Sequence, residues 1–166
     1  MKSPLAVVLV VAFSHPALLA GLPAGPKTAR PGVLGVVFQK ALTRAAEKLG
    51  SAECRLVLAD FRDAAGRTLA ENLSEKGLSA SDYLMRLEFR NGRDESTCRK
   101  PRVEAFTNVG GSTVWICPGR SLGFPGADVD TGSSALIHEM LHTLGLAENP
   151  PTSLEITERV VERCGR

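Results

Sequence analysis

"ALIHEMLHTLGLAENPP", residues 135–151, sets His138, Glu139 and His142 in an almost wholly apolar run that stops at Gly145. Residues four apart on an α-helix project from the same face, so His138 and His142 can turn two imidazole nitrogens onto one metal ion. Glu139 is offset toward the same side and can reach a water on that ion. Leu136, Ile137, Met140, Leu141 and Leu144 make the rest of the helix apolar, which predicts a buried element with Met140 and Leu144 as packing residues. An ordinary core helix would have to find partners for all three polar side chains, at about 1–3 kcal/mol for each left unpaired. The remaining histidine, His15, lies in the N-terminal apolar stretch, so both others fall inside the motif.

The residue types suit hydrolysis. Neutral imidazoles bind zinc without cancelling its charge, so the ion remains a Lewis acid that lowers the pKa of its water toward about 7. Glu139 would take that proton as general base and pass it to a leaving amine, while the ion polarises the scissile carbonyl. A catalytic zinc also needs a third protein ligand. Glu148, six residues beyond His142, completes H-E-x-x-H-x-x-G-x-x-E, and Gly145 would permit a left-handed turn that returns the chain to the metal. An acid there meets an unfavourable helix C-terminal dipole, which favours a metal partner over a solvated role. Asp128 and Asp130 are weaker candidates, Asp130 reading as a cap of the motif helix.

On these residues the stretch resembles the zincin metallopeptidases, most closely the metzincin pattern H-E-x-x-H-x-x-G-x-x-H, with Glu148 in place of the last histidine. No methionine follows the motif to supply a Met-turn. The resemblance implies His138, His142 and Glu148 as zinc ligands and Glu139 as base. A second zincin group, the gluzincins, takes a glutamate from a later helix, which keeps Glu155 and Glu158 open as third ligand. The resemblance also implies a small α+β zincin-like domain, its buried active-site helix beside a β-hairpin or sheet. It further places an extended substrate against Thr113–Cys117, where Trp115 is either core or a subsite wall.

Working outward, "VEAFTNVGGSTVWIC" (103–117) reads as two β-prone arms around a Gly-Gly turn. "VVFQKALTRAAEKL" (36–49) has apolar residues at helical spacing and ends at Gly50. "CRLVLADF" (54–61) predicts a strand and "LAENLSEKG" (69–77) a helical turn or two. "SASDYLMRLEFRNGR" (79–93) predicts a helix capped by Ser81 or Asp82, then a strand. Thr152 with Glu155 three residues on predicts a capping box that opens a last helix through Arg163.

The N-terminus, "MKSPLAVVLVVAFSHPALLA", has one Lys, a short apolar core and small residues near Ala20, the pattern of a secretory signal peptide over 1–20 with cleavage as late as 24. A Gly- and Pro-rich flexible lead-in over 21–32 then precedes one domain over 33–166. The apolar stretch is too short to span a bilayer, so no stable membrane insertion is expected once it is removed. The expected location is secreted, periplasmic or extracellular. Four cysteines, Cys54, Cys98, Cys117 and Cys164, are no closer than 19 residues, which favours two disulfides over a cysteine zinc site and leaves three pairings open.

Without Lys2 the chain has 19 basic and 18 acidic side chains, with no basic run, which argues against nucleic acid as partner. The sequence thus predicts a secreted zinc endopeptidase acting on a peptide or protein. Its alternatives are a disulfide-stabilised binding module with structural zinc or no metal, and a zinc hydrolase of a non-peptide amide. Nothing in the sequence bears on oligomeric state.

Overall fold

Apolar residues three and four apart in "GVVFQKALTRAAEKLG" form helix α1 (Gly35–Gly50), and its Phe38, Ala41, Leu42, Ala45 and Leu49 are buried. The structure, a computed structural model, describes residues 27–28, 34–119, 122 and 128–165. The leader over 1–20 and most of the lead-in lie outside the described residues. The remaining elements are β1 (Lys27–Thr28), α2 (Ala52–Arg55), α3 (Val57–Asp60), α4 (Leu69–Glu75), α5 (Ala80–Arg86), β2 (Glu88–Asn91), β3 (Ala105–Thr107), β4 (Thr113–Ile116), α6 (Val129–Thr143) and α7 (Ser153–Cys164). A 3₁₀ turn, Ser96–Arg99, lies between β2 and β3. Helices packed on a small mixed sheet make this an α+β domain.

The sheet runs in the order β1-β2-β4-β3, with β1, β2 and β4 parallel and β3 antiparallel to β4. Part of the stretch read as a flexible lead-in, Lys27–Thr28, is therefore strand, paired with Glu88 and Phe89. The hairpin forms as expected, but its second arm is not an edge. β4 is bonded to β2 on one side and β3 on the other, which corrects the expectation that an extended substrate adds to the strand at Thr113–Cys117. Among the described residues β1 lies at one edge of the sheet and β3 at the other, the one that borders α6. Cys117 N–H donates to the Glu104 carbonyl at 2.9 Å, so Glu104 and Phe106 turn their backbone toward β4 while Ala105 and Thr107 turn theirs away from it. Trp115 is half-buried and stacks on Phe106 across the strand pair, ring centroids 5.1 Å apart, and does not line the cleft described below.

α2 and α3 take up most of residues 54–61, through Asp60, where the sequence predicts a strand. Cys54, Val57 and Leu58 are buried at spacings of three and four, and a short apolar run satisfies helix and strand patterns alike. Ser51 decides the start locally, its hydroxyl accepting from Cys54 N–H. α4 opens with a capping box, Thr68 and Glu71, and α5 is capped by Ser79, just ahead of Ser81 and Asp82. α7 begins at the Thr152–Glu155 capping box as expected.

α1 lies along α6, closely enough that a Cβ built on Gly132 would stand 3.1 Å from that of Ala41. Phe38 meets Phe89 of β2 edge-to-face at 5.2 Å, closing the core between helices and sheet. Two disulfides form, Cys54–Cys164 joining α2 to the end of α7 and Cys98–Cys117 joining the 3₁₀ turn to the end of β4. No helix among the described residues is long and apolar enough to cross a membrane. Both features are compatible with an extracellular protein.

Candidate metal centre

The end of α6 builds the site. Gly145, at φ +109°, occupies a conformation that side chains resist, and the chain reverses there. Its N–H donates to the His142 carbonyl at 3.0 Å and Leu146 N–H to that of Leu141 at 3.2 Å, the bond pattern of a Schellman termination. Buried Leu146 then presents its own carbonyl to His142, and the chain runs back to place Glu148 over the histidines. Asn72 of α4 secures this turn, its Nδ2 donating to the Leu144 carbonyl and to Asp63, both at 2.9 Å.

Hydrogen-bond partners place a proton on Nδ1 of each ring. The Leu146 carbonyl can only accept, so the His142 Nδ1 beside it at 2.7 Å carries the proton. Thr157 of α7 donates its hydroxyl to the Ser153 carbonyl at 3.0 Å, so it accepts from His138 Nδ1–H, also at 3.0 Å. Burial first, and His142 second, draw the His138 pKa down to about 4, keeping that ring neutral. That leaves the two Nε2 atoms, 3.0 Å apart, as the ring nitrogens turned toward each other. Glu148 Oε1 stands 3.4 Å from one and 3.9 Å from the other. The three ligand atoms lie within 4.8 Å of one another, and this group could hold a metal ion.

Glu139 is buried beside them, and desolvation, then the charge of Glu148, pushes its pKa up to about 8. The group opens into a cleft of about 930 Å³. Thr131, Ala135, His138, Glu139 and His142 form its floor, β3 one wall, and Ser153, Thr157 and Val161 of α7 the other. No family model, curated protein or solved structure matches the chain.

The sequence-predicted residues divide clearly. His138, His142 and Glu148 come together, with Glu139 alongside. Glu155 does not join them, because its carboxylate accepts from Thr152 N–H and Oγ1 at 2.7 and 2.8 Å. Glu158 is exposed and does not line the cleft. Asp128 caps α6 in place of Asp130, which instead binds Lys48 at 2.9 Å and Arg44 at 3.2 Å.

Thr157, the Leu146 carbonyl and the β3 edge were missed, since each acts through a contact between elements. The only local signal for Thr157 is its place on a helix close behind the motif. Thr157→Val removes the acceptor for His138 Nδ1–H while keeping shape. We expect it to weaken metal binding about 10–100-fold in a chelator competition, with Thr157→Ser near wild type. Equal affinities for all three proteins would refute the orienting role.

Proposed function

We propose that the protein is a secreted zinc endopeptidase with His138, His142 and Glu148 as zinc ligands and Glu139 as general base. The observation that carries this reading is the pair of Nε2 atoms turned toward each other beside a carboxylate, with a second, buried carboxylate next to them in an open cleft. Separations of 3.0, 3.4 and 3.9 Å between ligand atoms fit the edges of a zinc tetrahedron, about 3.3 Å, without large movement. Two neutral imidazoles and one carboxylate leave positive charge on a bound dication, as a catalytic site requires.

Zinc there supplies Lewis acidity to a water molecule and to the scissile carbonyl. Glu139, shielded from bulk water, accepts the water's proton and delivers it to the leaving nitrogen. A cation at the three ligands opposes the desolvation of Glu139, so the carboxylate is available as a base near neutral pH. Ala105 and Thr107, on an edge strand and turned away from β4, offer an extended substrate backbone groups that pair with no described strand, which favours a peptide over a small amide. Thr157 and Leu146 hold the imidazoles in the tautomer that binds metal. An export leader over 1–20 agrees with the two disulfides.

The test is zinc content of the purified mature protein beside its variants. Wild type, Glu155→Ala and Glu158→Ala are expected to hold close to one zinc per chain, and Glu148→Ala to lose it or bind it more weakly. Folded wild-type protein that takes up no zinc from excess metal would sink the reading.

A further inference from the structure

The hydrolytic chemistry leaves one charged wall of the cleft unused. β3 runs toward the last turn of α6, where Gly110 N–H donates to the His142 carbonyl at 2.9 Å. The residues ahead of β3, Lys100, Arg102 and Val103, therefore line the cleft on the side away from that turn. Most charges around them are engaged. Asp130 is held by Lys48 and Arg44, and Asp128 accepts from the Asp130 and Thr131 backbone at the head of α6. Lys100 and Glu104 each have an interaction within the protein.

Arg102 differs from these neighbours. It is exposed, lines the cleft, and makes no hydrogen bond or ion pair among the described residues. Its backbone sits at φ +66°, a left-handed conformation that costs a side-chain-bearing residue free energy and is kept where surrounding structure imposes it. An unengaged guanidinium at the head of an edge strand is suited to grip a carboxylate in two-pronged fashion.

The strand sets the direction. Antiparallel pairing is the more stable ladder, and a peptide added that way to Ala105 and Thr107 runs with its C-terminal residues toward Val103 and Arg102. We infer that Arg102 is a specificity determinant that binds a carboxylate on the C-terminal side of the scissile bond, either an Asp or Glu side chain or the substrate's own C-terminus. The inference rests on the peptidase reading above and names its substrate class: peptides acidic downstream of the cut.

The test uses the zinc-loaded mature protein, wild type and Arg102→Gln, Arg102→Glu and Arg99→Gln, on a complex peptide mixture read by mass spectrometry. Arg99 is exposed and off the cleft, so its variant serves as control. Matched synthetic peptides then carry Glu or Gln at each downstream position with an amidated end, or Gln throughout with a free C-terminal carboxylate. These arms separate the two carboxylate sources.

Wild type and Arg99→Gln are expected to favour the acidic peptides by about five- to tenfold in kcat/KM, falling as salt rises, as suits a partly exposed ion pair. Arg102→Gln should lose the preference and Arg102→Glu should turn it toward Lys and Arg, while cleavage of a neutral peptide reports that both variants are folded. Wild type that cleaves peptides without downstream acid preference, or a preference that survives in Arg102→Glu, overturns this inference alone. Zinc-loaded protein that cleaves no peptide removes it together with the peptidase reading.

Discussion

Glu139→Gln is expected to keep its zinc and its fold while peptide hydrolysis falls by roughly 10²–10⁴-fold. The amide fills the same buried space beside His138 and His142 but cannot take a proton. A structural zinc site would show no such split between metal content and turnover, so the paired measurement decides between an enzyme and a zinc-stapled binding module. Retention of full hydrolytic rate by Glu139→Gln would transfer the base role elsewhere.

The same substitution should alter how the metal-free protein responds to pH. Glu139 has its pKa pushed up to about 8 from an ordinary value of 4.5, so the folded chain holds a proton that the unfolded chain releases in that interval. Its contribution to stability is complete below the lower value and is lost as pH rises through the upper one. His138 acts at the other end. Its pKa is drawn down from 6.5 to about 4, so the unfolded chain binds the extra proton and stability falls as pH drops through that window. Thermal melts in chelator should therefore show wild type weakening toward about pH 8 and Glu139→Gln outlasting it there by roughly 5 °C or more. Melting curves that run in parallel from acid to alkali would show that Glu139 is not held protonated in the folded chain.

Removing the Cys54–Cys164 bridge, as Cys54→Ala with Cys164→Ala, should have the largest effect on stability and should also reach the metal. This bond closes a 110-residue loop, for which loop-closure entropy gives about 4–5 kcal/mol and a fall in melting temperature of roughly 15 °C. It anchors the end of α7, and α7 supplies the Thr157 hydroxyl that orients His138. Zinc affinity should drop with it. The Cys98–Cys117 bridge closes only 19 residues and ties the sheet end, so its loss should cost about 3 kcal/mol and leave affinity closer to wild type. Calorimetry and chelator competition on both double variants check this, and equal zinc affinity in the two would argue against α7 as the support of His138.

The candidate metal group was legible because its geometry is local. His138, Glu139 and His142 are placed by one helix, Glu148 by a glycine-dependent helix end, and the α7 start by its own capping box; all of these depend on residues a few positions apart. Residues 54–61 were misread for the converse reason. Nothing within "CRLVLADF" distinguishes two helical turns from a strand, and what selects the helices is the burial of Cys54, Val57 and Leu58 against distant elements. What keeps Glu155 apart from the group is a tertiary detail, the Thr152 N–H and hydroxyl that occupy its carboxylate.

The sequence by itself determined an apolar helix bearing two same-face histidines and an adjacent carboxylate, a hairpin before it, and an even set of cysteines. Tertiary structure alone decided the sheet order that puts β3 at an edge, the pairing of the disulfides, and the docking of α7 that sets Thr157 against His138. Periodicity and capping act over one or two turns and leave their pattern in the chain. Strand order, disulfide pairing and tautomer control depend on which distant surfaces meet, and burial energy over the whole core selects those contacts.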